Sequence, residues 1–369
     1  MINLLIRQEE FSKAISEIIS VCEQTRGPDK GGLPHFFYIR IEGSGEAVKL
    51  SANNMSRKID ILVRDVTPHE PFVVGVKGPH LKYLVSALPR GMISLSIGDN
   101  GKITVGSGKS EYELWTVERD AFPDYGECSI EKWAPANLGE MLELMARISY
   151  CSSNADGADI YKKAVTLTHD HMICTDGYRL CSVPNMYMPC SEPLLFPAEA
   201  ARCFYSLFKG VDSGRIFTDG SRIHFSSEGI YASSALLSGR VPNFRSVMQQ
   251  SEACCLVKVS AADFKAVIGR AATFTSSIDK SNTTAGEFVF SKEGLTINID
   301  SQGYKATEVI PVEDGVDIRM NLNLKFVQQA MRTLGEGIVL EIRGPEMPIV
   351  FKDESGLIRN IIVPQKRTR

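Results

Sequence analysis

The sequence lacks the features that would place a protein in a membrane or in an oxidising compartment. No stretch of its 369 residues approaches the ~18 consecutive apolar residues of a transmembrane helix. The N-terminal segment turns charged at Glu9 and Glu10 and shows no signal-peptide cleavage pattern. The nine cysteines include no CxxC pair and no repeating framework, which is typical of reduced, buried thiols. These absences predict a cytoplasmic protein without a membrane anchor.

An excess of charge of either sign is also lacking. The 41 lysines and arginines nearly balance the 44 acidic residues, and the net charge is −3. This balance excludes a protein coated in basic surface, such as a histone-like binder. It does not exclude nucleic-acid binding, because a local basic surface suffices. At ~150 residues per domain, the length predicts two or three folded domains.

What the sequence does contain is one pattern that occurs three times. A strand followed by an apolar residue and a proline recurs at Pro123, Pro242 and Pro364, with spacings of 119 and 122 residues. Each repeat also begins with an amphipathic helix whose apolar residues lie at helical spacing. These residues are Phe11, Ile15, Ile18 and Ile19 in the first repeat, Leu138, Met141, Leu142 and Met145 in the second, and Phe264, Val267, Ile268 and Ala271 in the third.

A second helix is predicted in the middle of each repeat. These helices span 79–88, 197–208 and 324–334. Pro79 and Pro197 fall in the first helical turn, where the missing N–H of proline is tolerated. Alternating strands bounded by turn residues lie between the helices. The sequence therefore predicts an α+β fold of three similar domains, each with two helices and antiparallel sheets. The predicted domains are 1–126, 127–250 and 251–369.

One segment resembles part of a nucleotide-binding loop. Gly106–Ser110 reads GSGKS, which is the end of a phosphate-binding P-loop. The motif needs a glycine at position 103, where this chain has isoleucine, and it needs a helix to follow. Because Tyr112–Val117 has the pattern of a strand, the sequence predicts no nucleotide site here.

Metal binding and nucleophilic catalysis are the other enzymatic alternatives. His169, His171 and Cys174 have a spacing that could gather three metal ligands. Alternation along a strand would send the two histidines to one face and the cysteine to the other, and a fourth ligand is not evident. A Cys–His nucleophile pair is not excluded by spacing, but nothing singles out one cysteine. We therefore predict no catalytic residue, no metal and no cofactor.

Four motifs resemble those of the bacterial DNA polymerase III β subunit, the β sliding clamp family. Cys174–Leu180 (CTDGYRL) resembles the family's TDGHRL, and Ser238–Arg245 (SGRVPNFR) resembles its DGRFPDYR. Asp120–Tyr125 (DAFPDY) resembles its first-domain DFPN, and Val363-Pro364 matches its C-terminal MP step. Because the motifs follow the family's order and spacing, the resemblance covers the whole chain.

The resemblance implies a non-enzymatic ring. Two chains would form a homodimer of six domains around duplex DNA and tether DNA polymerase and clamp-loader subunits through short peptide motifs. A ring that slides needs attraction to phosphate without base contacts, so inward-facing residues should be basic. Candidate DNA-facing residues are Lys13, Lys82, Arg147, Arg202, Lys265 and Lys325 on helices, and Arg26 and Lys30 in a loop. A clamp-fold interaction scaffold that does not encircle DNA stays as the alternative.

The resemblance also implies a peptide pocket and a dimer interface. The pocket residues are Thr175, Gly177, Tyr178, Arg179, Leu180, Pro242, Val247, Pro348, Val363 and Pro364. Apolar residues there would bury hydrophobic side chains of the partner peptide. The interface residues are Tyr112 and Leu114 on one side and Thr273 and Phe274 on the other. Ser246, Gln365 and Arg367 depart from a well-known branch of the family, and Lys162 stands where that branch has leucine, which favours an altered peptide preference.

Overall fold

The chain folds into two compact units, each built from helices on antiparallel sheets. One unit comprises Met1–Glu143 and Arg202–Leu236, and the other comprises Leu144–Ala201 and Leu237–Arg369. The structure is a computed structural model. It describes residues 2–22, 34–67, 69–98, 100–117, 133–188, 190–248, 255–279, 284–312 and 316–366. Arg26, Lys30, Arg367 and the Asp120–Tyr125 motif lie outside the described residues.

The first unit is organised by one antiparallel sheet of 12 strands. Its strands are β1 (Ile2–Arg7), β2 (Tyr38–Gly45), β3 (Ala47–Asn53), β4 (Arg57–Val63), β5 (His69–Lys77), β6 (Met92–Ile97), β7 (Lys102–Ser107), β8 (Ser110–Val117), β9 (Ala134–Ala136), β14 (Gly214–Thr218), β15 (Arg222–Ser227) and β16 (Ile230–Ala235). Their order in the sheet is β1-β6-β7-β8-β5-β2-β3-β4-β16-β15-β14-β9. Two adjacent helices, α1 (Gln8–Ile18) and α2 (Gly78–Ala87), belong to the same unit.

The second unit holds a sheet of eight strands and a sheet of four. The strands are β10 (Ala164–Leu167), β11 (His171–Thr175), β12 (Arg179–Pro184), β13 (Leu194–Pro197), β17 (Cys255–Val259), β18 (Ala285–Ser291), β19 (Gly294–Ser301), β20 (Tyr304–Ile310), β21 (Ile318–Asn323), β22 (Ile338–Ile342), β23 (Ile349–Asp353) and β24 (Arg359–Ile362). The larger sheet has the order β13-β10-β11-β12-β24-β23-β22-β17, and the smaller has the order β20-β19-β18-β21. The helices of this unit are α5 (Arg245–Met248), α6 (Ala261–Ile278) and α7 (Leu324–Met331), and the division between the units falls within α3 (Leu138–Ile148) and α4 (Ala198–Phe208).

The predicted α+β class with antiparallel sheets is confirmed, and the amphipathic helices explain where the cores lie. The apolar stripes of α1, α3 and α6 are buried at every predicted anchor. Pro79 lies in the first turn of α2, as predicted. The prediction for Pro197 is wrong, because this residue pairs with Ala164 and ends β13. Helix α7 ends before Thr333, whose hydroxyl donates to the Ala330 carbonyl at 2.7 Å and so competes with the helical ladder.

Strand pairing joins segments from different repeats. In the first unit β4 pairs with β16, and in the second unit β12 pairs with β24. Each pairing continues a sheet from one repeat into the next, because antiparallel ladders satisfy the main-chain donors at what would otherwise be open edges. The division into three domains stays a prediction, since residues 118–132 and 249–254 around its boundaries lie outside the described residues.

The GSGKS segment forms a hairpin and no helix follows it. Ser107 pairs with Ser110 across a turn in which Gly108 has a φ of +62°. The prediction of a strand after this segment is confirmed, so its main-chain N–H groups are not aimed at a phosphate by a helix. Within the described ranges, no group of three metal-ligating side chains comes together. No helix among the described residues is long and apolar enough to cross a membrane.

Candidate peptide-binding pocket

The TDGYR segment forms a tight turn between β11 and β12. The Thr175 hydroxyl donates to the Arg179 carbonyl at 2.6 Å and accepts from the Gly177 N–H at 3.0 Å. One carboxylate oxygen of Asp176 accepts from the N–H groups of Tyr178 and Arg179, at 2.9 and 3.1 Å. Gly177 has a φ of +95°, a region that side-chain-bearing residues rarely adopt. Thr175, Asp176 and Gly177 therefore each have a local role in the turn.

The side chain of Arg179 fastens this turn to the rest of the second unit. Its side chain is only 8% exposed and its Nε lies 3.0 Å from the Asp176 carboxylate. The guanidinium lies between the rings of Tyr150 and Phe326, at 5.0 and 4.2 Å from their centroids. It also donates to the side-chain oxygen of Gln329 on α7 and to the Tyr150 carbonyl. The charge of Arg179 is therefore engaged inside the protein.

Beside the turn lies an apolar surface formed by two paired strands. Leu180 on β12 pairs with Ile361 on β24, and both are buried. They form one core cluster with Ile173, Phe244 and Val350. Because β12 and β24 are far apart in sequence, only the sheet register brings this floor together.

The opposite wall is the VPNFR motif and the short helix that follows it. The Phe244 carbonyl accepts from the N–H groups of Val247 and Met248, which closes α5. The side-chain oxygen of Asn243 accepts from the Arg245 N–H at 3.1 Å. The Phe244 ring meets the ring of Tyr161 edge-on, with centroids 6.3 Å apart. The wall is thus held by main-chain hydrogen bonds, by the Asn243 side chain and by one aromatic contact.

A cavity of about 290 Å³ lies between these walls. Eight of the ten predicted pocket residues line it: Thr175, Gly177, Arg179, Leu180, Pro242, Val247, Pro348 and Val363. Sequence reasoning missed four more lining residues: Tyr161, Asn243, Phe244 and Ile361. The cavity lies just below the ~300–1,000 Å³ of sites for whole small molecules. Its size and apolar walls suit a few hydrophobic side chains of a peptide.

The other two predicted pocket residues lie beside the cavity without lining it. The side chain of Tyr178 is 69% exposed, and its main-chain carbonyl accepts from the Val363 N–H at 3.0 Å. Pro364 follows Val363 on the way out of the sheet, and the next residue, Gln365, donates its N–H to the Asn321 carbonyl at 2.8 Å. The C-terminal segment is therefore held by main-chain bonds at two points.

Lys162 lies at the rim, next to the turn. Its Nζ lies 2.9 Å from the Asp159 carboxylate, and this pairing raises the pKa of the lysine and lowers that of the aspartate. A Cβ on Gly177 would lie 3.3 Å from the Lys162 Cε. The lysine stem therefore lies beside the turn, while its ammonium forms an ion pair with Asp159.

The candidate DNA-facing residues of the helices are distributed one to a helix. Lys13 lies on α1, Lys82 on α2, Arg147 on α3, Arg202 on α4, Lys265 on α6 and Lys325 on α7. The Lys265 ammonium donates to the carbonyls of Leu334 and Gly335, at 2.7 and 3.3 Å, and so caps the segment after α7. Acidic residues accompany the bases on α1, α3, α4 and α6. Contact of these residues with DNA stays a prediction.

The candidate interface residues lie near two sheet edges. Tyr112 and Leu114 lie on β8, which pairs with β7 from Ser110 to Trp115 and with β5 only at Thr116 and Val117. Thr273 and Phe274 lie on α6, which packs against β20, one of the two edge strands of the four-stranded sheet. Main-chain groups of β20, and of β8 before Thr116, are therefore open to a further strand among the described residues, as they are at the other sheet ends.

Known proteins share this architecture from end to end. No protein-family model matches the chain. The chain is 19% identical over 383 aligned positions to the β sliding clamp of Staphylococcus epidermidis, covering 99% of each. It is 21% identical over 250 positions to the β sliding clamp of Escherichia coli, covering 66% of this chain and 68% of that one. The crystal structure of the DNA polymerase sliding clamp from Bacillus subtilis has a TM-score of 0.88 at 16% identity, covering 100% of both chains.

The fold and the pocket define an α+β protein of repeated helix-and-sheet units that carries an apolar, peptide-sized cavity. Its fold is that of the bacterial DNA polymerase III β subunits. The resemblance to the β sliding clamp family carried by the sequence motifs is confirmed over the whole chain.

Proposed function

We propose that the chain is a DNA sliding clamp. Two copies close into a ring around duplex DNA and tether DNA polymerase and clamp-loader subunits through short peptides. The observation that carries the proposal is the match in fold to a sliding clamp over 100% of both chains. A tether of this kind works by enclosing the duplex and by long-range attraction to phosphate, so no catalytic residue or cofactor takes part.

The cavity beside the TDGYR turn is the proposed tethering site. Its floor is apolar and buried, and its turn is fixed by the Arg179 side chain. A pre-formed pocket loses little conformational entropy when a peptide binds, so a few anchoring side chains suffice for affinity. The polymerase stays on DNA because its peptide is held by a ring that cannot leave the duplex sideways.

Two exposed strand edges support closure of the ring. On β8 the exposed side chains include Tyr112 and Trp115, and on β20 they include Tyr304 and Val309. An apolar edge strand is a ready template for pairing with another chain. Pairing β8 of one copy with β20 of a second copy, twice over, would close a two-chain ring and cover both edges.

The decisive experiment compares circular with linear DNA. Purified protein is diluted to open rings, mixed with nicked plasmid, concentrated, and passed over a sizing column at moderate salt. We expect the protein to elute with the circle and to separate from it after one restriction cut, because a topological tether escapes from free ends. Equal retention on both forms would instead support an interaction scaffold that binds the DNA surface.

A matched pair of edge variants tests ring closure itself. Val309→Asp places a charge on the exposed face of β20, whereas Leu256→Asp places one on β17, the edge strand of the eight-stranded sheet. We expect analytical ultracentrifugation to show at least tenfold weaker dimerisation for Val309→Asp only. Equal dimer strength in both variants would rule out β20 as the interface.

A further inference from the structure

A second cavity adjoins the peptide pocket within the same unit. It encloses about 330 Å³, against about 290 Å³ for the pocket. Both cavities are lined by Pro242, Asn243 and Phe244. These three residues therefore form a common wall with a cavity on each side.

The floor of the second cavity continues the floor of the first. Ile173 and Phe244 line the second cavity and belong to the same buried cluster as Leu180 and Ile361 in the first. Cys190 adds a buried thiol to this floor, and burial raises its pKa to about 11. The cavity therefore offers an apolar surface without a thiolate, which suits a hydrophobic side chain.

The rim of the second cavity is charged. The carboxylate of Asp170 accepts from the Thr168 hydroxyl at 3.1 Å and lies 3.4 Å from the His171 ring nitrogen. Arg245 is 71% exposed, and its guanidinium lies 3.9 Å from Asp170, beyond hydrogen-bonding distance. The acid is thus held by its own neighbours, while the donors of Arg245 are not taken up by it.

We propose that the two cavities form one continuous groove for a single peptide. The pocket takes the peptide's hydrophobic anchor, and the second cavity takes a further apolar side chain next to a carboxylate that binds Arg245. An extended chain advances ~3.3 Å per residue, so a short extended segment can place one side chain on each side of the common wall. A carboxylate on a guanidinium forms paired, charge-assisted hydrogen bonds, which fixes the register of the peptide. This inference rests on the proposed tethering function and names the chemistry of its partners.

Selection from random peptides tests the groove directly, because it requires no named partner protein. A library of displayed random peptides of about 14 residues is selected, in separate experiments, for binding to the wild-type protein and to the variants Arg245→Glu, Arg240→Glu and Val363→Glu. Arg240 is an exposed arginine on the same segment that does not line the cavity, so it is the matched control. We expect wild type and Arg240→Glu to select an apolar cluster and, at a fixed separation from it, an acidic residue. Arg245→Glu should keep the apolar cluster and lose the acid.

A synthetic peptide taken from the wild-type selection measures how much Arg245 contributes to peptide affinity. Its affinity should fall about tenfold on Arg245→Glu, and replacing its acidic residue with alanine should abolish that difference. Two results would contradict the continuous groove without contradicting the tethering pocket. One is that the wild-type protein selects apolar clusters without an acidic residue at a fixed position, and the other is that Arg240→Glu weakens peptide binding as much as Arg245→Glu does. Selection of the same peptides by Val363→Glu would show that the pocket itself had been misassigned.

Discussion

A five-residue turn of nearly the same sequence occurs once in each unit, but the arginine that ends it has different partners in the two copies. Residues 175–179 read TDGYR and residues 218–222 read TDGSR. In the second copy the Thr218 hydroxyl donates to the Arg222 carbonyl at 2.8 Å and accepts from the Gly220 N–H at 3.1 Å. The Asp219 carboxylate accepts from the N–H groups of Ser221 and Arg222, at 2.8 and 2.7 Å. The local hydrogen bonds match those of the first turn one for one.

The two turns differ in what their arginines hold. Arg179 lies between two rings and fastens the turn to α7, beside an open apolar cavity. Arg222 donates instead to the main-chain carbonyls of Met55 and Ser56, in the turn between β3 and β4. These hydrogen bonds stabilise the segment that leads into β4, next to the β4–β16 pairing. The motif specifies a turn, whereas its tertiary neighbours decide whether that turn borders an apolar cavity.

Replacing each arginine with alanine should give the largest difference in stability between the two turns. Arg179→Ala leaves Asp176 without its buried partner, so we expect the free energy of unfolding to fall by about 3–5 kcal/mol. Arg222 is more exposed and binds carbonyls, so Arg222→Ala should lower it by about 1.5 kcal/mol. Urea denaturation of the two variants measures the difference. Equal losses would mean that the buried ion pair of Arg179 with Asp176 adds nothing to stability beyond ordinary hydrogen bonds.

The residues that follow the two arginines test the cavity itself. Leu180 and Ile223 are both buried, but of the two only Leu180 lines the proposed peptide pocket. Each alanine variant should lose about 2–4 kcal/mol of stability through the cavity it creates. Only Leu180→Ala should also weaken binding of a display-selected peptide, by about tenfold in fluorescence anisotropy. Weaker binding by Ile223→Ala as well would mean that peptide affinity reports general loosening of the protein.

Much of the fold could be predicted because burial imposes a period. The anchors of α1, α3 and α6 recur at helical spacing, and the structure buries each of them. Helix α5 could not be predicted in this way, since four residues are too few to show a period. The prediction for Pro197 fails because proline tolerates both a first helical turn and the end of a strand.

Pocket residues could be predicted only where they belong to a continuous sequence motif. The TDGYRL and VPNFR motifs identify residues on both sides of the pocket, but the prediction omits Asn243 and Phe244 although they lie inside the second motif. Ile361 enters only through the β12–β24 register, which no local pattern reveals. The contact of Arg179 with Gln329 spans 150 residues, so the buried role of this arginine belongs to tertiary structure.

The glycines of the two turns give a smaller and cleaner comparison. Gly177 and Gly220 have φ of +95° and +84°, so alanine at either position costs about 1–2 kcal/mol in backbone strain. A Cβ at 177 would also lie 3.3 Å from Lys162, whereas one at 220 meets nothing within 4 Å. We expect thermal denaturation to show a slightly larger loss for Gly177→Ala. Adding Lys162→Ala should remove that excess, and an excess that persists would place its origin in the turn itself.

The second turn should also make the stability of the protein depend on pH. Burial would raise the pKa of Asp219, but hydrogen bonds from Ser221 and Arg222 and the nearby His224 outweigh it and lower the pKa to about 2. A carboxylate with a lowered pKa stabilises the fold above its unfolded pKa of ~3.9, and this contribution is lost as the pH falls towards 2. The urea midpoint should therefore fall between pH 4 and pH 2, and less steeply in Asp219→Asn, whose side-chain oxygen still accepts the turn's hydrogen bonds. The same slope in wild type and variant would show that other carboxylates govern the acid transition.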